Sequence, residues 1–308
     1  VLIFDPSAAT EPTSAGSGAA IAEVIARGQL RPVYQPIISL GGLTTLGYEG
    51  LIRPVPPAPF ENPLAMFDAA ASSGHLVALD MSCIETIVAG ADDLPPGAFL
   101  SVNISPRTVE SPEFTTPALL SILARHGFDP HRLVLELTER EAIDDVERVR
   151  VKLEACRVAG ISIAADDVGA GNSGLRLLSE LRFEVIKVDL SLVQRIAPGA
   201  PSSAVIESVV ALAAKTGSLV IGEGVEKAED VAHLQALGVA AAQGYFFSHP
   251  GPLAPSASPS TVADPSSGAA PQPVVIGIRP RELVAQAETD GAGMSAWRQG
   301  IGLPTPVG

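Results

Sequence analysis

From Leu30 to Phe246, short runs of apolar and β-branched residues alternate with longer stretches of helical spacing. The short runs predict strands at Arg31–Ile38, Thr45–Arg53, Ala98–Asn103, Arg132–Leu137, Ser162–Asp166, Val185–Val188, Leu219–Glu223 and Ala241–Phe246. The longer ones predict helices at Leu64–Ser73, Leu76–Ala89, Pro117–His126, Ile143–Ala159, Gly174–Leu181, Ser202–Thr216 and Lys227–Leu237, with a further helix before them at Ala19–Gln29. Gly127, Gly160, Gly217 and Gly238 stand where four of these helices should stop. This alternation fits an α/β protein of the (β/α)₈ barrel type, with a doubly wound parallel sheet as the alternative.

The barrel reading can be checked within the sequence, because barrel chemistry gathers at the C-terminal ends of the strands. Each strand from the second onward carries a polar residue, most of them late: Glu49, Asn103, Glu136, Asp166 with Asp167, Lys187, Glu223 and Gln243. A buried strand normally avoids such residues. Taken singly, each has an ordinary explanation. Glu49 could pair with Arg53, Lys187 could extend its ammonium to water, and Glu223 could sit at a helix N-terminus. Taken jointly, they argue for a site.

The stretch ISIAADDVGAGNSG, Ile161–Gly174, concentrates this signal. A buried strand ends in two adjacent carboxylates, and a glycine-rich turn leads to a helix. Two carboxylates at a strand end repel each other, more so when half-buried, and a divalent metal ion would relieve that. A solvated loop start with no ligand is the other reading. Gly169–Gly174 also spells G-x-G-x-x-G, the dinucleotide-binding fingerprint, but carboxylates just upstream would repel a pyrophosphate. Asn103-Ile104-Ser105 matches a glycosylation sequon, set aside because it falls at a strand end.

Composition narrows the choice. The net charge of −14 over 308 residues excludes a DNA or RNA polymer binder that neutralises phosphates with a basic stripe. Two cysteines, Cys83 and Cys156, give neither a disulfide framework nor a zinc pattern, and point to a reducing, cytoplasmic setting. No apolar run is long enough to span a membrane. Three segments are expected: residues 1–18 as a terminal strand and linker, 19–253 as the barrel, and 254–308 as a Pro-, Ser- and Ala-rich linker and tail.

YQPIISL (Tyr34–Leu40), YEGLIR (Tyr48–Arg53), SVNIS (Ser101–Ser105), LELTE (Leu135–Glu139), ADDVGAGNSG (Ala165–Gly174), IKVDLSLV (Ile186–Val193), GEGVEKAED (Gly222–Asp230) and QGYFFSHP (Gln243–Pro250) together resemble the EAL-domain cyclic-di-GMP phosphodiesterases of bacteria. Val1–Pro6 is similar to the last strand of the GGDEF domains that often precede them. The resemblance implies a modified (β/α)₈ barrel whose first strand runs antiparallel to the others. It implies hydrolysis of one phosphodiester bond of cyclic di-GMP to linear pGpG, using two Mg²⁺ or Mn²⁺ ions. By motif position, Glu49, Asn103, Glu136 and Asp166 would hold one ion, and Asp166, Asp167 and Glu223 the second. Lys187 would hold the attacking water, with Asp167 and Glu223 beside it in the catalytic group; whether Lys187 or Glu223 takes the proton is open. Gln35 and Arg53 would contact substrate, Gln243 would support the site, and Glu139 would brace the loop after Asp167.

All-oxygen ligands suit Mg²⁺, and paired ions make an acidic site tolerant of an anionic substrate. The loop after the aspartates departs from the family pattern. Val168, Ala170, Asn172 and Gly174 stand where an aromatic, a threonine, a tyrosine and a serine are usual. In the family that loop helps order the second metal and a homodimer contact, so slow or activation-dependent turnover is expected here. Gly50 replaces an alanine and should cost the strand some stability. A catalytically silent cyclic-di-GMP receptor and a partner-binding scaffold are the rival functions.

Overall fold

The computed structural model describes residues 14–138, 143–170 and 174–253. The chain forms β1 (Leu30–Ser39), β2 (Thr45–Pro54), β3 (Phe99–Ile104), β4 (Leu133–Thr138), β5 (Ser162–Val168), β6 (Val185–Val188), β7 (Leu219–Gly222) and β8 (Ala241–Ala242). These close into one barrel in chain order. β1 is antiparallel to both β2 and β8, and every other neighbouring pair is parallel. This is the modified barrel with a reversed first strand, and the doubly wound alternative falls away.

Around the barrel lie α1 (Ser14–Ala26), α2 (Pro63–Ser72), α3 (Leu76–Ala89), α4 (Pro106–Glu110), α5 (Thr116–Arg125), α6 (Val146–Val158), α7 (Gly174–Glu180), α8 (Leu190–Val193), α9 (Pro201–Thr216) and α10 (Ala228–Ala236). Local chemistry sets their ends. Asn62 Oδ1 accepts from Ala65 N at 3.0 Å to start α2, with proline in the first turn. Asp145 caps α6 by accepting from Arg148 N at 3.0 Å. All four glycines expected at helix ends lie one or two residues beyond α5, α6, α9 and α10, each with positive φ.

Two sequence boundaries shift by four or more residues. The residues expected to be linker through Gly18 are helical from Ser14, and Gly18 lets α1 close onto His75: a Cβ there would lie 2.9 Å from the imidazole. The eighth strand, expected to reach Phe246, is two residues long, so Gln243 lies just beyond it. The hydrophobic pattern predicts no helix at α4 or α8. They are too short to show a period, although Ser105 before Pro106 and Asp189 before Leu190 are N-cap signals, and both side chains do cap.

The core divides in two. One cluster packs the outer faces of the strands against the helices. The other fills the barrel interior with Ile37, Phe99, Val134, Ala164, Val185, Leu219, Ile221 and Ala241. Two glycines in β2 mark where these layers press closest. A Cβ on Gly47 would meet the Phe99 ring at 2.6 Å, inside the barrel. A Cβ on Gly50 would lie 2.2 Å from Ile87 Cγ2, on the helix side. The space an alanine would take at Gly50 is therefore filled by α3, which offsets the cost expected of glycine there.

Candidate active site

Side chains alternate between the two faces of a strand, so residues two apart share a face. Continuing the inward face upward from the apolar plug gives Ile37 then Gln35 on reversed β1, and Gly47 then Glu49 on β2. It gives Phe99, Ser101 and Asn103 on β3, then Val134, Glu136 and Thr138 on β4. On β5 and β6 it gives Ala164 then Asp166, and Val185 then Lys187; β7 and β8 lead to Glu223 and Gln243 just past their ends. Every residue expected to line the rim, apart from Asp167, arrives by this parity.

These groups meet at Lys187. Its Nζ lies 2.8 Å from Glu136 Oε2, 2.8 Å from Glu223 Oε1, 3.1 Å from Asp166 Oδ1 and 3.4 Å from Glu49 Oε2. Lys187 and Glu136 are each 1 % exposed. Asn103 Nδ2 donates to Glu49 Oε1 at 2.8 Å. Gln243 Nε2 donates to Glu49 Oε2 at 2.5 Å and to Gln35 Oε1 at 2.9 Å. Gln35 in turn donates to the Ser248 carbonyl at 2.9 Å, so the loop after β8 is tied to β1 and β2. Gln35, expected at the substrate, is thus buried and engaged on both ends of its amide.

Asp166 and Asp167 should point to opposite faces. The β5–β6 register gains one residue on β5 between Ala165 and Val168, and Asp167 has φ 58, in the left-handed region. This bulge breaks the alternation at the one place where two successive carboxylates are wanted on the rim. Thr138 Oγ1 donates to Asp167 Oδ2 at 3.3 Å. Thr138 carries no signal in the sequence beyond lying two residues after Glu136 on the same face. Glu139 lies outside the described residues, as do Gly171, Asn172 and Ser173 of the altered loop.

Four carboxylates around one ammonium leave a surplus of negative charge. Burial first, then the neighbouring Glu49 and Asp166 charges, push the Glu136 carboxyl well up, against the pull of Lys187. Burial likewise lifts Glu223, to about 8. Glu49 is also penalised by burial, but Lys187 and the donors Gln243 and Asn103 outweigh it and hold its carboxyl low. Burial works against the Lys187 ammonium, yet the surrounding carboxylates hold it well above the ordinary lysine value. Asp166 Oδ1, though beside Lys187, has no hydrogen bond, and Gln243 Oε1 has none either.

A hard cation fits this donor set: carboxylate and carboxamide oxygens, two of them buried without a hydrogen bond, in excess negative charge. Among the described residues no three Asp, Glu, His or Cys groups are already disposed around a common ion position. The carboxylates converge on Lys187 instead. Arg53 stands farther up β2, its Nη1 donating to the Ile52 carbonyl at 2.8 Å.

An eight-stranded barrel with a reversed first strand and a carboxylate-rich C-terminal rim defines a class of α/β protein suited to polar chemistry at that rim. The EAL domain model matches residues 19–250, and the chain belongs to the EAL domain family. Among its relatives is the probable cyclic di-GMP phosphodiesterase PdeG of Escherichia coli (strain K12), 33 % identical over 233 residues, a match covering 73 % of this chain and 45 % of that protein. The chain therefore spans less than half the length of that relative. Among solved structures, the calcium/cyclic-di-GMP complex of BlrP1 from Klebsiella pneumoniae superposes with a TM-score of 0.66 at 32 % identity, covering 72 % of this chain and 56 % of that one. A manganese/cyclic-di-GMP complex of BlrP1 gives 0.65 at 33 % identity, with coverage of 72 % and 56 %. No helix among the described residues is long and apolar enough to cross a membrane.

Proposed function

We propose that this chain hydrolyses one phosphodiester bond of cyclic di-GMP, giving linear pGpG, with two Mg²⁺ or Mn²⁺ ions. The observation that carries this reading is the convergence of Glu49, Glu136, Asp166 and Glu223 on Lys187, with Asn103 and Gln243 fixed to Glu49. In this reading Glu49, Asn103, Glu136 and Asp166 hold one ion, and Asp166, Asp167 and Glu223 the other. Bound there, such ions acidify a water and offset charge on the phosphoryl oxygens.

The protein's own groups supply the rest. Lys187, held well above the ordinary lysine value, stays an ammonium. It serves as the fixed cation that holds the attacking water. Glu223 Oε1, 2.8 Å from Lys187 Nζ, stands beside the position that Lys187 gives this water and is the candidate to take its proton. Gln243 and Gln35 fix Glu49 and the loop after β8, and Arg53 reaches the substrate from above. The bulge holds Asp166 and Asp167 together, and Glu139 braces the loop that follows. The same reading pairs two copies through that loop, which sedimentation would test, and places the reaction in the cytoplasm.

The test is incubation with cyclic di-GMP and Mg²⁺ or Mn²⁺, with separation of the products. Release of pGpG, abolished by a chelator, is the expected result. Binding without product would favour the silent receptor. Absence of binding in calorimetry would overturn both and leave the scaffold.

A further inference from the structure

Arg31 and Arg53 are cross-strand partners in the β1–β2 ladder. They fall on the same face as the neighbouring pair Gln35 and Glu49, since Arg31, Val33 and Gln35 alternate along β1 as Arg53, Leu51 and Glu49 do along β2. The opposite face is accounted for: Tyr34 and Ile52 belong to the helix-facing core, and Tyr34 Oη donates to the Ile87 carbonyl of α3 at 2.7 Å. Four residues of strand separate Arg53 from Glu49, about 13 Å of rise. The two guanidiniums thus stand above the carboxylate cluster, beyond a step formed by Val33 and Leu51.

Like charges directly opposite each other on neighbouring strands are destabilising. A chain with a surplus of 14 negative charges has no shortage of carboxylates to relieve such a pair. Among the described residues, neither arginine has one. Arg31 is exposed and takes part in no ion pair, and Arg53 donates only to the carbonyl of its own neighbour, Ile52. Two unneutralised guanidiniums side by side, facing the site, are arranged for an acceptor-rich ligand edge. Guanine presents O6 and N7, two adjacent acceptors that a guanidinium fork matches; adenine presents N7 beside an amino donor, which a guanidinium repels.

Resting on the phosphodiesterase reading, we infer that Arg31 joins Arg53 in seating the O6/N7 edge of a guanine of the dinucleotide. Arg31 is then a specificity-determining residue. It lies outside the motifs that the sequence singles out.

The experiment measures binding of cyclic di-GMP and of cyclic di-AMP to the full chain by calorimetry in Ca²⁺. The wild type is compared with Arg31→Gln and Arg31→Lys. The exposed position at a strand end makes both variants compatible with folding, checked by thermal unfolding. Arg31→Gln is expected to lower the preference for the guanine dinucleotide roughly tenfold, almost wholly through weaker cyclic di-GMP binding. Arg31→Lys keeps the charge but not the fork, and should lose most of the same preference. Equal weakening of both dinucleotides would assign Arg31 to phosphate and overturn the inference. So would an unchanged preference in both variants, while leaving the phosphodiesterase reading intact. Failure of the wild type to bind either dinucleotide would remove that reading, and this inference with it.

Discussion

The lower half of the barrel interior is closed by Ile37, Phe99, Val134, Ala164, Val185, Leu219, Ile221 and Ala241. The upper half, on the same strands and the same face, holds Glu49, Asn103, Glu136, Asp166 and Lys187, with Glu223 and Gln243 at the rim. Two residues of strand separate the layers on most strands and four on β3, yet they contribute to the molecule in opposite ways. The plug gains stability by removing apolar surface from water and leaves nothing unsatisfied. The upper layer holds ionisable groups out of water around a single ammonium, an arrangement whose desolvation cost offsets much of its attraction. Stability is concentrated below and chemistry above, and the strands hold the upper layer in place because the lower one is close-packed.

The sharpest way to break this division is Lys187→Ala. It leaves the carboxylates facing one another, so turnover should fall at least roughly a thousandfold. The cation-free protein should lose about 3–5 kcal/mol, measured by denaturant unfolding. An unchanged rate would remove Lys187 from the chemistry. In the plug, Phe99→Ala should cost about 3–5 kcal/mol by the same measurement, while the folded fraction keeps its turnover per active molecule. If turnover fell in step with Lys187→Ala, the two layers would not be separable.

Glu136→Gln sharpens the comparison from the other direction. It removes one charge from a cluster with too many, keeping shape and an acceptor for Lys187. Activity should be lost, while cation-free stability rises by about 1–2 kcal/mol. The smallest effect is on pH dependence. Glu136 is pushed well up and Glu223 to about 8, both chiefly by burial, from an ordinary glutamate value of 4.5. Between those limits the folded protein binds protons that the unfolded chain has released. Stability of the cation-free protein should therefore fall as pH rises from about 4.5 to about 8. Saturating Mg²⁺ should flatten that slope, because cations replace the protons. A rise in unfolding temperature over the same window without metal would contradict the charge surplus.

Much of this was legible from the chain alone. Short apolar runs with β-branched residues mark Ser162–Asp166 and Val185–Val188 as strands, and glycines mark where helices stop. Strand-end polarity picks out Glu49, Asn103, Glu136, Asp166, Lys187, Glu223 and Gln243, because charge inside a barrel strand is too costly to occur without a partner. Other features needed three dimensions. A strand pattern reads the same in both directions, so it could not reverse β1; that expectation came from the family resemblance, and the antiparallel pairing with β2 and β8 bears it out. Nor could it show that a bulge at Asp166 and Asp167 turns neighbouring carboxylates toward one rim, since register is a property of two strands and not of one. Gly50 reads as a weak point in isolation and proves to be where Ile87 packs. The sequence by itself determined which polar side chains gather at the strand ends. Only the closed barrel determined that four carboxylates share Lys187, because convergence depends on strand stagger and closure, which no local pattern contains.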